Sequence, residues 1–255
     1  MNKIQKLFKE EVNILSVYFT AGYPNLHDTT ETILTLQDTG VKLIEVGMPY
    51  SDPMADGETI QKSSALAIQN GMTLDILFDQ LEAIIDQVTV PLVFMGYLNQ
   101  WMQYGIEKFC VRAKKVGISG LIIPDLPLDI YQEEFKEIIK TNGLTISFLI
   151  TPNTSNQRIA LAARLSSAFL YVVSQSSITG SSKEFSTEQI AYFQRIKELK
   201  ISTPTVLGFG ISDASSYHQA CQYANGAIIG SAFIRALKKD NLNKSIRDFI
   251  GGILK

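Results

Sequence analysis

The fold can be read from Ile44-Glu45-Val46-Gly47-Met48-Pro49-Tyr50-Ser51-Asp52-Pro53-Met54-Ala55-Asp56-Gly57. Leu43 to Val46 is an apolar run with the character of a short buried strand, and a carboxylate, Glu45, is set into its C-terminal half. A charged residue inside such a strand is costly unless it is paired or has a task. A loop broken by Pro, Gly and Ser follows and carries two more carboxylates, Asp52 and Asp56. Glu58-Thr59-Ile60-Gln61 then opens a helical pattern. Carboxylates just beyond the C-terminal end of a buried strand stand where α/β folds assemble their chemistry.

Outward from this stretch the same strand, loop and helix unit recurs. Ile14 to Phe19 is strand-like and ends at Thr20-Ala21-Gly22-Tyr23-Pro24, followed by an amphipathic stretch that stops near Gly40. Downstream, strands are expected at Pro91 to Met95, Gly120 to Ile123, Thr145 to Ile150, Phe169 to Val173, Thr205 to Leu207 and Ala227 to Ile229. Gly96 to Asn99 reads as a loop and Gln100 to Tyr104 as an aromatic-rich turn. Ser174 to Ser186 is too long for a tight connection, and loops of that length are often functional. Ile4, Leu7 and Phe8, at helical spacing, place a helix ahead of the first strand. Near-continuous apolar strands imply burial on both faces and hence a parallel sheet. Eight such units in 255 residues, with no composition break to mark a linker, predict one domain over 1–255: a closed (β/α)8 TIM barrel with an extra N-terminal helix. The alternative, an open doubly wound sheet, would use fewer strands, and the first strand-to-helix turn lacks its G-x-G-x-x-G fingerprint.

Composition narrows the function classes. A hydrophobic content of 45%, a charged content of 19% and a net charge of −2 with scattered Lys and Arg argue against nucleic-acid binding. No apolar run is long enough to span a bilayer and no signal peptide is evident, so the protein is expected in the cytoplasm. Cys110 and Cys221 are far apart and read as reduced, buried thiols. His27 and His218 are the only histidines and neither ends a strand, which leaves no basis for a histidine metal site or a Ser-His-Asp triad. No Lys ends a strand either, so a Schiff-base mechanism lacks its nucleophile.

What remains is carboxylate chemistry on a phosphorylated substrate. Gly208-Phe209-Gly210-Ile211-Ser212 and Gly230-Ser231 follow the last two strands, where barrels commonly cradle phosphate on backbone N–H groups and a helix N-terminus. Glycines that merely make tight turns are the plainer alternative. Glu45 is either a salt-bridged strand carboxylate or a general acid and base whose proton affinity is raised by apolar surroundings. Asp56 could equally cap the helix that follows it. Tyr18, Tyr97 and Tyr171 lie at strand ends, as core packing or as an aromatic slot for a flat ring.

The stretch Glu45 to Gly57 closely resembles the signature of the tryptophan synthase α-subunit family. The resemblance continues through Thr20-Ala21-Gly22-Tyr23-Pro24, Pro124-Asp125-Leu126-Pro127, Thr179-Gly180, Gly208-Phe209-Gly210-Ile211-Ser212 and Gly230-Ser231-Ala232, in family order over nearly the whole chain. It implies a lyase that cleaves indole-3-glycerol phosphate to indole and glyceraldehyde 3-phosphate, with no metal and no cofactor in this subunit. By resemblance, Glu45 would protonate the indole ring and take the hydroxyl proton, while Asp56 would accept from the indole N–H. Tyr18, Ile60, Met95, Tyr97 and Ile122 would line the indole pocket, with Tyr171 beside the glycerol chain. Thr179 would close onto Asp56, and Gly180, Gly210, Gly230 and Ser231 would hold the phosphate.

The same resemblance implies a pyridoxal-phosphate-dependent β subunit as partner in an α2β2 heterotetramer, with Asp52, Pro53, Asn99 and Pro127 at the interface. Trp101 and Met102, on the aromatic-rich turn, are added to that interface here, with ordinary helix packing as the alternative. Gln175 and Ser177 stand where many family members have Arg and Gly, a departure expected to affect loop closure and cross-talk with the partner. Three rivals are weighed against this reading: another phosphate-binding barrel enzyme of the same pathway, a non-catalytic regulatory subunit and a stand-alone indole-releasing lyase. The first would require a strand-end Lys or paired Asp that the sequence lacks.

Overall fold

The structure, a computed structural model, describes residues 1–174 and 185–255. Its strands are β1 (Ile14–Thr20), β2 (Leu43–Gly47), β3 (Leu92–Met95), β4 (Ile118–Ile122), β5 (Thr145–Ser147), β6 (Leu149–Ile150), β7 (Leu170–Val173), β8 (Thr205–Gly208) and β9 (Gly226–Ile229). The helices are α1 (Lys3–Glu10), α2 (Asp28–Asp38), α3 (Glu58–Gln69), α4 (Leu74–Glu82), α5 (Leu98–Tyr104), α6 (Ile106–Lys115), α7 (Leu128–Ile130), α8 (Lys136–Thr141), α9 (Asn156–Leu165), α10 (Thr187–Glu198), α11 (Ala214–Cys221), α12 (Ser231–Ala236) and α13 (Leu242–Ile253).

All strand pairs are parallel, in the order β5-β4-β3-β2-β1-β9-β8-β7-β6. The two ends of that order, β5 and β6, are successive halves of one strand separated only by Phe148. β5 pairs with β4 and β6 pairs with β7, so the sheet closes on itself as a barrel of eight strand positions. The interruption has a local cause. The Phe148 side chain is buried against the ring of Tyr131 at 5.1 Å, while its carbonyl accepts from the Tyr171 N–H. The continuous fifth strand expected from the sequence is thus broken at one residue without losing its place.

Interior and exterior residues alternate along the strands, as a pleated sheet requires. On β2, Ile44 and Val46 pack into the layer between barrel and helices, whereas Leu43 joins the barrel interior with Ile14, Tyr18, Val93, Phe169 and Ile228. Glu45 falls on the interior face by the same alternation. Helix α1 closes the floor. The Asn2 side chain caps it by accepting from Ile4 N–H at 2.9 Å, and its amide donates to the carbonyls of Ser119 and Gly143, both at 2.8 Å. Those three bonds fix Ile4, fully buried, in the interior cluster.

Two readings from periodicity need correction. Leu98 to Tyr104 is helix α5, not a loop and a turn, because the Gln100 side chain accepts from the Tyr97 N–H and closes its first turn. Trp101 consequently points inward. It is fully buried against Phe109 and Phe135, so it belongs to the core and not to an exposed interface, while Met102 beside it remains exposed. Cys110 is buried on α6 and Cys221 half-buried on α11, both free thiols. No helix among the described residues is long and apolar enough to cross a membrane.

If Ile4 plugs the barrel floor, Ile4→Ala should lower the free energy of unfolding by about 2–4 kcal/mol, the usual cost of emptying a filled core site. Urea titration measures this; a change below about 0.5 kcal/mol would show that the plug is dispensable.

Candidate active site

Because the strands are parallel, all their C-terminal ends open on one mouth, and the loops that carry Asp56, Gly210 and Gly230 follow strands β2, β8 and β9 there. Glu45 is fully buried on β2, and its Oε1 accepts from the Ser16 hydroxyl of β1 at 2.7 Å. Its Oε2 is buried with no partner among the described residues. Burial raises its pKa from the ordinary value of 4.5 to about 7, with the Ser16 hydrogen bond working the other way. Near neutral pH the group is therefore present in both protonation states, as proton exchange requires.

Asp56 sits in the loop after β2, half-buried. Its Oδ2 accepts from the Tyr97 hydroxyl at 3.0 Å, and that hydroxyl in turn accepts from the Ala55 N–H at 2.9 Å. Burial lifts its pKa to about 6, opposed by the Tyr97 bond. The helix-cap alternative does not describe this side chain: Gly57 is the residue at the cap of α3, and no side chain caps it. A carboxylate pinned by a phenol in a loop is free to offer its remaining oxygen to a ligand donor.

Two phenols, Tyr18 and Tyr171, stand close to both acids, and each lies against a glycine. A Cβ on Gly47 would stand 2.2 Å from the Tyr18 hydroxyl, and one on Gly208 would stand 2.3 Å from the Tyr171 hydroxyl. Each ring lies across the end of the neighbouring strand, a position only glycine permits. Tyr18, Ile60, Met95, Ile122 and Tyr171 share one interior cluster, joined by Val173 and by the partly buried Leu149 and Phe209. Desolvation, reinforced by the nearby carboxylates, holds the Tyr18 and Tyr171 phenols well above their ordinary range. They stay neutral at physiological pH.

The glycine loops lie on the adjoining arc of the mouth, since β2, β1, β9 and β8 are consecutive in the sheet. Phe209 and Gly210 both adopt left-handed backbone, φ +66° and +80°, which turns the chain sharply after β8. Gly230 precedes Ser231, the first residue of α12, and a Cβ at Gly230 would meet the Tyr18 ring at 3.4 Å. Tyr18 thus stands between the Glu45 strand and the Gly230 loop. Thr179 and Gly180, like the departures Gln175 and Ser177, lie outside the described residues. Among the described residues no three His, Cys, Asp or Glu side chains are grouped to hold a metal.

On the outer rim, Asp52, Asn99 and Pro127 are exposed and Pro53 half-exposed, with Met54 and Met102 the large apolar residues left uncovered nearby. Asn99 donates to the Tyr50 hydroxyl at 3.0 Å, and the Tyr50 ring stacks on Tyr97 at 5.2 Å, which links the rim to the Asp56 loop. Sequence reasoning passed over Ser16, and it quoted Gly47, Gly208 and Phe209 within longer motifs without assigning them the ring contacts they make. Ser16 left one legible trace, a lone hydroxyl on the same strand face as Tyr18. The ring contacts of the other three depend on strand register, which no residue pattern announces.

The model of the family described as "Tryptophan synthase alpha chain" matches residues 4–250. Proteins of that name from Flavobacterium johnsoniae and Christiangramia forsetii are 51% and 48% identical, over 99% and 98% of this chain and 100% and 97% of theirs. Among solved structures, the tryptophan synthase A-subunit of Pyrococcus furiosus is similar at TM-score 0.88 and 30% identity, covering 96% of this chain and 98% of that one. A chain of the M. tuberculosis tryptophan synthase is similar at TM-score 0.87 and 27% identity, covering 99% and 98%. The chain whose barrel mouth gathers these residues belongs to the tryptophan synthase alpha chain family.

Proposed function

We propose that Glu45 and Asp56 carry the lyase reaction of this family, with the Tyr18–Tyr171 slot holding the indole and the glycine loops holding the phosphate. The protein is the alpha subunit of tryptophan synthase, a lyase of tryptophan biosynthesis that cleaves indole-3-glycerol phosphate to indole and glyceraldehyde 3-phosphate. The observation that carries the assignment of roles is Glu45 itself: a fully buried carboxyl group with one oxygen unpartnered, poised near neutral pH.

The chemistry follows from proton balance. Glu45 as the acid adds a proton to C3 of the indole, which makes the ring an iminium-like electron sink. The C3–C1′ bond then breaks, its electrons returning to the ring as the C1′ hydroxyl becomes the aldehyde. The Glu45 carboxylate takes the proton that this hydroxyl releases, so the group ends as it began. Asp56 accepts from the indole N–H and offsets the positive charge that develops there, an electrostatic contribution of the kind that dominates many active sites. Tyr97, donating to Asp56, would keep its second oxygen aimed at the ring.

In this reading Ile60, Met95 and Ile122 complete the indole pocket. Gly210, Gly230 and Ser231 grip the phosphate, joined by Gly180, and Thr179 closes on Asp56. The subunit itself uses no cofactor. The partner is a β subunit carrying pyridoxal phosphate in an α2β2 assembly, docked on the rim of Asp52, Pro53, Asn99 and Pro127, and the site of action is the cytoplasm. The exposed Met54 and Met102 on that rim support a covered surface.

Glu45→Gln keeps the shape of the side chain but cannot exchange a proton. Indole release should fall at least ~10²-fold with KM little changed; near-normal turnover would remove Glu45 from the mechanism. The same variant gives a stability signature. Between pH 4.5 and 7 the folded state keeps a proton that the unfolded chain has lost, so native stability falls as pH climbs through that window. Above pH 7 Glu45→Gln should therefore be more stable than wild type by about 3 kcal/mol, with the difference vanishing below pH 4.5, as read by urea titration at several pH values. For the phosphate loops, Gly210→Val should raise KM about tenfold or more, since a side chain would crowd the backbone N–H groups; an unchanged KM would make the glycines turns only.

A further inference from the structure

Ser16 is a buried polar residue that the reaction above leaves without a part. Across the β1–β2 pair, Tyr18 is opposite Glu45 and Ser16 is opposite Leu43, so Ser16 lies about 6–7 Å nearer the barrel floor than the backbone of Glu45. Its hydroxyl nevertheless reaches Oε1 of Glu45 at 2.7 Å, with both residues fully buried. The Glu45 side chain must therefore bend toward the floor to meet it. Ser16 is the hydrogen-bond partner that the carboxyl group has among the described residues, and Oε2 has none. Among the described residues, the titratable groups that interact with the carboxyl are two phenols, Tyr18 on β1 and Tyr171 on β7, both of which also interact with Asp56 in the loop after β2. No cation is among them.

We propose that Ser16 is a positioning residue for the lyase reaction: by engaging Oε1 from below, it fixes the plane of the Glu45 carboxyl group and leaves Oε2 as the single oxygen through which the proton passes. The proposal rests on Glu45 being the acid and base. The chemistry of the bond supports it. Because the hydroxyl donates to Oε1, a proton on the carboxyl group resides on Oε2, the one oxygen without a partner. A donor to the carboxylate also stabilises the charged form, opposing the burial that disfavours it. Ser16 thus sets both the geometry and the pH range of the exchange.

The test uses the full chain, wild type and the variants Ser16→Ala, Ser16→Cys and Glu45→Gln. The Glu45 carboxyl is titrated by NMR on protein labelled at glutamate Cδ, with Glu45→Gln assigning its signal, alongside the pH profile of indole release. Ser16→Ala should move the Glu45 midpoint up by about 1–2 pH units, the worth of one hydrogen bond to a charged group. It should lower kcat about tenfold while KM stays within about twofold. Ser16→Cys, close in size but a weak donor, should fall between, and it keeps the test available if the alanine variant is unstable. A midpoint unmoved in both variants overturns the proposal, as does a loss of kcat without a shift of the profile, which would mark Ser16 as merely structural. Normal turnover in Glu45→Gln would overturn the assignment beneath it, whereas an inactive Glu45→Gln with an unmoved midpoint in Ser16→Ala overturns this proposal alone.

Discussion

A carboxyl group shut away from water inside a barrel of apolar side chains is the constraint around which this structure is arranged. Leaving Glu45 ionised with nothing to meet it would cost several kcal/mol, and the fold meets that cost in part. Among the described residues a single hydroxyl, from Ser16, engages one oxygen and no positive charge is supplied. A full ion pair would have held the group as a permanent carboxylate and removed its capacity to give up and regain a proton near neutral pH. In the proposed reaction incomplete compensation is what lets the group exchange its proton, and the stability of the surrounding barrel makes it tolerable.

That stability comes from layers distant from the acid. Helix α1, capped and pinned by Asn2, drives Ile4 into the floor. The closing strand keeps its pairing on both sides although Phe148 turns out of it. Aromatic contacts among Phe78, Phe94, Phe109 and Trp101 lock α4, α5 and α6 against the outer face of β3. Local strain at Phe209 and an unpartnered oxygen at Glu45 are concentrated at the mouth, where a ligand can answer them.

Much of this was legible in the residues. Apolar strand runs separated by helical periodicity gave the barrel, and Glu45 within such a run marked the interior face. What the pattern could not convey was three-dimensional economy. Trp101 sits among polar neighbours and looks like a surface aromatic until α5 forms and rotates it inward. Asp56 precedes a helix and looks like a cap until Tyr97, forty-one positions away, takes its oxygen. Ser16 is one small hydroxyl in an apolar strand, and only the register of β1 on β2 gives it a partner. Each of these depends on a contact distant in sequence, which local periodicity does not encode.

The paired rings have one more implication. Tyr18 is in register with Glu45 and leans over Gly47 two positions on, and Tyr171 is in register with Val206 and leans over Gly208 two positions on. Each ring is braced by main chain as well as by side chains of the interior cluster, Tyr171 against Phe209 among them. A side chain added at either glycine would therefore displace a ring directly, whatever aliphatics fill the interior below it.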